Sequence, residues 1–291
     1  MKRLLGQIKY GKWWQVRMMG ADPSLLEWKE RVQAVVDSTA GHVSFMMEDE
    51  CGRQLQIDAD TQKKAASLIK IPILMAAFKQ VEAGRLNIYD RYSIDKENRV
   101  GGAGVSQFLD GGTSFTLRDL LTLMIVVSDN TATNKVIDII GLSAVAEFCA
   151  EQGLKSTRLE RKMMDFKAAT AGLENKTSAQ DMVACLKLLH TEDSKRAVFS
   201  DMSRQTMLCI LGGQQLLDKL PFYMDLDSLK IANKTGELAG VEHDCGIITF
   251  GGKKLTVAVL VDDLLVNYSG KRAIQEIGKL VEEYIKGIKS F

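Results

Sequence analysis

The chain is short of most residues that announce a specialised function. It has three histidines and five cysteines in 291 residues, and its nearest two cysteines, Cys185 and Cys209, stand 24 apart. No CxxC exists, which argues against a zinc ribbon or a dithiol redox site. An odd set of scattered cysteines reads as free buried thiols in a reducing compartment. Charge of one sign is also missing: 38 basic and 37 acidic residues leave a formal +1, with no global field for nucleic acid or a membrane surface. The longest apolar run, Ile71 to Phe78, is far shorter than the roughly 20 residues that cross a bilayer. Internal repeats and low-complexity segments are absent. What is present is ordinary for a soluble globular protein: 46% hydrophobic and 26% charged residues, in a length that suits one large domain or two interleaved lobes.

The N-terminus, MKRLLGQIKYGKWWQVRMMG, is basic but has no apolar core of signal-peptide length. No secretion signal is read, so the chain as it stands is expected in the cytoplasm, or outside it if a signal once preceded it. Residues 1–22 are expected to form a basic extension. A Trp-containing basic arm suits a lipid surface, but such arms are more commonly loosely ordered.

Beyond the arm, Pro23 to Ala40 has helical spacing, with Trp28, Val32, Val35 and Val36 mostly on one face. HVSFMMED (42–49) and RQLQIDAD (53–60) predict two strands around a turn at Glu50–Gly52. Ser67 to Ala83 predicts a mostly buried helix, with Pro72 tolerable in its first turns. Residues 84–115 read as loop, including GGAG at 101–104. Helices are expected over Leu117–Val127, Asn134–Ile140 and Ser143–Gln152. Thr177-Ser-Ala-Gln180 reads as a capping box opening a helix to His190. Residues 229–236, 245–250 and 255–262 are β-branched and alternating, hence strands, with turns at Gly240 and Gly251–Gly252. Arg272 to Ile288 closes the chain as an amphipathic helix.

Five strands split around a helical insertion predict an α/β (α+β) fold. It is one five-stranded antiparallel sheet, flanked by the N- and C-terminal helices, plus an inserted all-helical lobe. The catalytic domain is expected over 23–291, with a sheet lobe from 23–61 and 216–291 and a helical lobe from 62–215.

Three short motifs carry chemistry. In Ser67-Leu68-Ile69-Lys70, serine and lysine are neighbours on one helical face. A serine hydroxyl is a poor nucleophile until a base takes its proton, and a lysine kept neutral by burial can serve. Ser128-Asp129-Asn130, between two helices, offers a hydroxyl to relay a proton and an amide to grip a carbonyl. Lys234-Thr235-Gly236 ends a strand, with donors for an anion or carbonyl and a glycine that lets backbone come close. Each is a chance-level pattern alone. The three in this order, on helix, loop and strand, are far more specific.

This set resembles the signature of class A β-lactamases and penicillin-binding proteins. LTLMIVVSDNTATN and IANKTGELAG also look like that family, over about residues 42–285. The resemblance implies the same fold that the element order predicts. It implies that Ser67 is acylated, Lys70 accepts its proton, and Ser128 passes a proton to the leaving nitrogen. Asn130 would hold the substrate's side-chain amide, and Lys234 and Thr235, ahead of Gly236, its carboxylate. The backbone N–H groups of Ser67 and Glu237 would form the oxyanion hole. No cofactor or metal is called for. The expected partner is a small-molecule substrate (a β-lactam, a peptide ending in D-alanine, or an ester), with no nucleic acid, no membrane segment and a monomeric protein.

Two departures stand out. The family's loop resembles R-x-x-R-x-E-x-x-x-N, whose glutamate activates the deacylating water. With RLER at 158–161 in register, the glutamate position carries Met163 and the asparagine position Lys167. A thioether cannot take a proton from water, so acylation looks intact and deacylation impaired; Asp165 could substitute only in a rebuilt loop. After KTG, the family's carboxylate-binding arginine is replaced by His243, a weaker anion partner. Leu74 and Leu121 stand where some members have a disulfide.

Other candidates give way to plainer readings. His243-Asp244-Cys245 lacks a second ligand pair and reads as a turn. GGAG lacks the Lys-Ser/Thr of a phosphate loop and reads as a flexible cleft edge. His190 near a helix end suits capping, and His42 a structural role. The functions in competition are a serine hydrolase or acyltransferase with slow deacylation, a D-alanyl peptidase or esterase of the same fold, and a non-catalytic penicillin-binding sensor.

Overall fold

The computed structural model describes residues 23–190 and 197–287. The basic arm expected over 1–22 and the end of the last helix at Ile288 lie outside them.

Five strands, β1 (His42–Asp49), β2 (Gln54–Ile57), β3 (Lys230–Leu238), β4 (Val241–Phe250) and β5 (Lys253–Asp262), form one antiparallel sheet in the order β2-β1-β5-β4-β3. The outer position of β3 matters for function, because one side of an edge strand keeps its backbone groups free for a ligand. The helices are α1 (Pro23–Ser38), α2 (Lys70–Glu82), α3 (Leu117–Val126), α4 (Asn130–Ile140), α5 (Leu142–Glu151), α6 (Phe166–Thr170), α7 (Ala179–Lys187), α8 (Asp201–Gly212) and α9 (Asn267–Gly287).

The sheet is covered on both faces. Val43, Phe45, Met47, Val257, Val259 and Val261 pack under α1 and α9, where Trp28, Val32, Ile274, Ile277 and Val281 complete an apolar cluster. Met46, Cys245, Ile247, Ala258 and Leu260 face the other way and join the core of the helical block. Two buried faces explain why β5 is apolar at successive positions. Trp28 ties the terminal helices together: its indole N–H donates to the Leu280 carbonyl at 2.6 Å and its ring lies 5.0 Å from that of Tyr284.

The observed elements differ from the expected ones in instructive ways. β2 covers only Gln54–Ile57 of the longer strand predicted. β4 begins at Val241, so His243-Asp244-Cys245 lies in a strand rather than a turn. α4 starts at Asn130, because Asp129 caps it by accepting the Ala132 N–H at 2.8 Å. The cap of α7 is Ser178, one residue past the expected Thr177, and its hydroxyl accepts from the Asp181 N–H. α6, α8 and the short hairpin of Arg91–Ile94 with Thr113–Thr116 were not expected. Four-residue polar strands such as RYSI and TSFT carry too little alternation to be recognised locally.

α2 is the hub of the helical block, buried from Lys70 through Phe78. Pro72 is its third residue, where no intrahelical N–H bond is lost. Leu74 and Leu121 are wholly buried core residues.

Candidate active site

Ser67 lies not in α2 but in the 3₁₀ turn Ala66–Ile69 that leads into it. With three residues per turn, positions i and i+3 eclipse, so Ser67 and Lys70 stack more directly than on an α-helix. The turn opens with Ala66 at φ +46°, a left-handed conformation that costs a β-carbon residue about 1–3 kcal/mol. Gly236 is what lets β3 lie against this turn: a Cβ there would stand 3.3 Å from the Ala66 Cβ and 3.4 Å from the Ala65 carbonyl.

Lys70 is fully buried. Its Nζ lies 2.7 Å from the Ser128 carbonyl, 2.9 Å from Asn130 Oδ1 and 3.1 Å from Ser128 Oγ. The Ser67 hydroxyl is not among these three partners. Burial pushes the Lys70 ammonium well below its usual range, Lys234 pushes it the same way, and Asp129 opposes them. Nζ can donate to Ser128 O and Asn130 Oδ1, with the Ser128 hydroxyl as its third neighbour.

Ser128 Oγ is shared between two lysines, since Lys234 Nζ also reaches it at 3.1 Å and donates to the Thr235 carbonyl at 2.8 Å. Lys234 is likewise buried, and desolvation lowers it to about 7. Ser128 itself has φ +55°, a strained backbone that aims its hydroxyl between the two amines. Asp129 holds this bend in place. Its carboxylate accepts from the N–H groups of Val105 and Ser106 and from the Ser106 hydroxyl at 2.6–2.8 Å, besides capping α4. A Cβ at Gly104 would come within 2.3 Å of it. The GGAG segment is therefore a packed edge of the cleft, tied down again where Asn130 donates to Ala103 O and Gly101 O.

The floor comes from residues 158–176. Asn134 grips Met163 at both ends of its backbone, accepting from Met163 N–H at 2.7 Å and donating to its carbonyl at 3.0 Å. Arg161 pairs with Glu174 at 2.7 Å, and Asn175 bonds Glu160, Arg161 and Ala65. The segment is thus fastened to the turn that carries Ser67. Met163 is buried, while Met164 is held at φ +61° and reaches towards Gly102. Both methionines line a cleft of about 220 Å³ together with Ser67, Asn130, Phe166 and Glu237. Asp165 instead caps α6 through the Ala168 N–H and is not part of the lining.

The expected sites are therefore not all in one place. Ser67, Asn130 and Glu237 border the cleft, Lys70, Ser128 and Lys234 are bonded beneath it, and Thr235 and Gly236 continue along β3. His243 is the exception. It is fully buried, with Nε2 2.8 Å from the Lys64 carbonyl and Nδ1 between the Glu242 carbonyl at 2.7 Å and the Val261 N–H at 3.1 Å. Burial lowers it to about 4, so it stays neutral and is no partner for an anion. The expected His243 contact with substrate is corrected accordingly. Asn134, Asp129, Arg161 and Asn175 were not expected, because their roles depend on contacts remote in sequence.

A larger hollow, about 450 Å³ between α8 and the sheet, contains none of the motif residues. His190 borders it and bonds Thr256 Oγ1 at 2.7 Å instead of capping a helix. His42, Asp262 and Asp263 bring three ligand atoms within 4.8 Å of one another, but the Lys63 ammonium already pairs with Asp262. All five cysteines are free thiols, Cys149, Cys185 and Cys245 buried and Cys51 and Cys209 exposed.

Solved structures share this fold. A β-lactamase from Sphaerobacter thermophilus is 31% identical, with 90% of this chain and 98% of that one covered and a TM-score of 0.81. PBP-A is 25% identical, over 91% and 97% of the two chains, also at 0.81. A leucine-to-glutamate mutant of PBP-A, solved as an acyl-enzyme complex with penicillin G, matches equally well. Among curated relatives, a β-lactamase of Rhodobacter capsulatus is 33% identical over 127 residues, and the β-lactamase regulatory protein BlaB of Streptomyces cacaoi 27% over 131. Each of those matches spans 42% of the relative's length. The model of the β-lactamase enzyme family matches residues 27–285. With that match over most of its length, the chain belongs to the β-lactamase enzyme family.

Proposed function

We propose that the protein is a serine hydrolase or acyltransferase that opens a lactam, amide or ester carbonyl on Ser67 and releases the acyl group slowly. The observation that carries the reading is the pairing of a buried Lys70–Ser128–Lys234 hydrogen-bond cluster with a methionine-lined cleft that Ser67 borders. Lys70, whose burial favours the uncharged amine, takes the proton of Ser67 as its hydroxyl attacks. Lys70, now an ammonium, donates to Ser128 Oγ, and Ser128 delivers its own proton to the departing nitrogen. Charge on the carbonyl oxygen is met by the N–H groups of Ser67, at a helix start, and Glu237, on the free edge of β3. Asn130 orients the substrate amide, and Lys234 with Thr235 receives a carboxylate. Met163 occupies the position where the family resemblance puts the water-activating glutamate, so water has no base on that side. The leucine-to-glutamate mutant of PBP-A, captured with penicillin G attached, is in keeping with a penicillin-acylated site in a close structural relative.

A second reading, a penicillin-binding sensor, is favoured by the partial likeness to the regulatory protein BlaB. One experiment serves both. Intact mass is followed after mixing with penicillins, D-alanyl peptides and acyl esters. A transient adduct with product supports hydrolysis, and a persistent one without product supports sensing. Peptide mapping is expected to place the label on Ser67, and Ser67→Ala to abolish it. A label elsewhere, or one surviving that substitution, ends the assignment.

A further inference from the structure

Lys219, in the connection between α8 and β3, is 1% exposed and lies outside every motif discussed so far. Its Nζ donates to the Gly236 carbonyl at 2.8 Å and lies 3.4 Å from the His243 carbonyl. It forms an ion pair with the buried Glu242 and stands 3.8 Å from Glu237 Oε2. Glu242 is held in turn by the Asn267 side-chain amide at 3.0 Å. The next residue is clamped too: Leu220 N–H donates to Asp244 at 3.0 Å, and its carbonyl packs so tightly on α9 that a Cβ at Gly278 would fall 2.1 Å away. The lysine head is therefore a fixed charge.

Gly236 and His243 are partners across β3 and β4, and a cation within reach of both carbonyls lies on the β4 side of β3. The peptide between Gly236 and Glu237 is planar and trans, which points its N–H away from its C=O. With the carbonyl turned into the sheet, the Glu237 N–H points off the outer strand, on the side where Glu237 borders the cleft. We propose that Lys219 is a positioning residue for the oxyanion hole: it holds and polarises the Gly236–Glu237 peptide from behind, so that the Glu237 N–H becomes a stronger, fixed donor to the reacting carbonyl. A charge-assisted bond at one end of an amide withdraws electrons from the nitrogen at the other, and bonded chains strengthen one another in a low-dielectric interior. No bond to substrate is required of the lysine. This inference rests on the acyl-enzyme reading above.

Lys219→Met alone strands a buried carboxylate oxygen whose partner among the described residues is the lysine, so folding would suffer. The informative protein is Lys219→Met/Glu242→Gln, with Glu242→Gln as control. Three quantities are read: the infrared stretch of the penicillin acyl carbonyl, the acylation rate, and the Glu237 amide proton shift without ligand. In the double variant the carbonyl band should rise in frequency and the amide proton move upfield. Acylation should slow about three- to tenfold, a fraction of the 10²–10³ that loss of a whole oxyanion donor costs. Glu242→Gln, which keeps the lysine, should stay near wild type. A folded double variant whose carbonyl band or Glu237 amide shift is unmoved overturns the proposal. If wild type forms no adduct, the acyl-enzyme reading fails on its own, and the Glu237 shift still decides whether Lys219 polarises that peptide.

Discussion

A buried lysine needs a reason, since desolvating an ammonium costs several kcal/mol. Lys70 and Lys234 are both fully buried and share one serine oxygen 3.1 Å from each. Two cations cannot sit comfortably there, and burial lowers both, Lys70 well below its usual range and Lys234 to about 7. In the proposed reaction Lys70 is the base, while Lys234, at about 7, keeps a share of positive charge near neutral pH. Lys70→Met keeps the volume and removes the base. Acylation of Ser67 should slow by about 10²–10⁴, the usual worth of general-base assistance. Melting should change little, because a thioether is cheaper to bury than an amine. Stopped-flow acylation beside a thermal melt checks this, and an unaltered rate in a folded variant would move the base elsewhere.

The segment 158–176 shows what a loop can hold without regular structure. Its shape comes from Asn134, the Arg161–Glu174 pair and Asn175, while its two methionines supply the surface towards Ser67. Because the Met163 backbone is gripped at both N–H and carbonyl, a substituted side chain should start from the same place. Met163→Glu should then set a carboxylate beside the acyl group and speed deacylation of a bound penicillin. Adding Lys167→Asn should help further, by removing a cation that could pair with the new carboxylate. Decay of the adduct by mass spectrometry measures both. If wild type already releases penicillin rapidly, the loop register is wrong or Asp165 has the role, and Asp165→Asn separates those cases.

Folding stability as a whole carries the signature of groups buried behind β3. His243 drops from near 6.5 to about 4 because it is desolvated. Above pH 6.5 it is neutral in both states and its contribution is complete. Between pH 6.5 and 4 the unfolded chain takes up a proton that the folded chain refuses, so stability falls with pH by on the order of 3 kcal/mol. Asp244 has the opposite slope: burial raises it to about 7 from a usual 3.8, so its contribution is lost as pH rises across that range. The raw profile mixes the two. The difference between wild type and His243→Gln isolates the histidine, and urea unfolding should show that difference shrinking from pH 7 to pH 4. A constant difference would mean that His243 takes up its proton at the same pH in the folded and unfolded chains.

Period and order were enough for the large elements. Strands at 42–49 and 255–262, the buried helix after Ser67, and terminal helices around a split sheet follow from apolar spacing, because burial of one face or two leaves a local imprint. That Ser67, Lys70, Ser128, Asn130 and Lys234 come together was also readable, because each lies in a short pattern of chemically specific residue types. What local pattern could not supply was which way a side chain faces once strands pair. Register against β3 and β5 turned His243 inward onto backbone, although its spacing from KTG suggested a ligand. The same packing brought Lys219, a residue in no motif, beneath the Gly236 carbonyl, and put Asn134 against Met163 across 29 residues of chain. Chemistry that depends on residue type survives in a one-dimensional string. Contacts made through backbone groups, which every residue carries alike, leave no mark there and were decided only when the sheet and helices closed on each other.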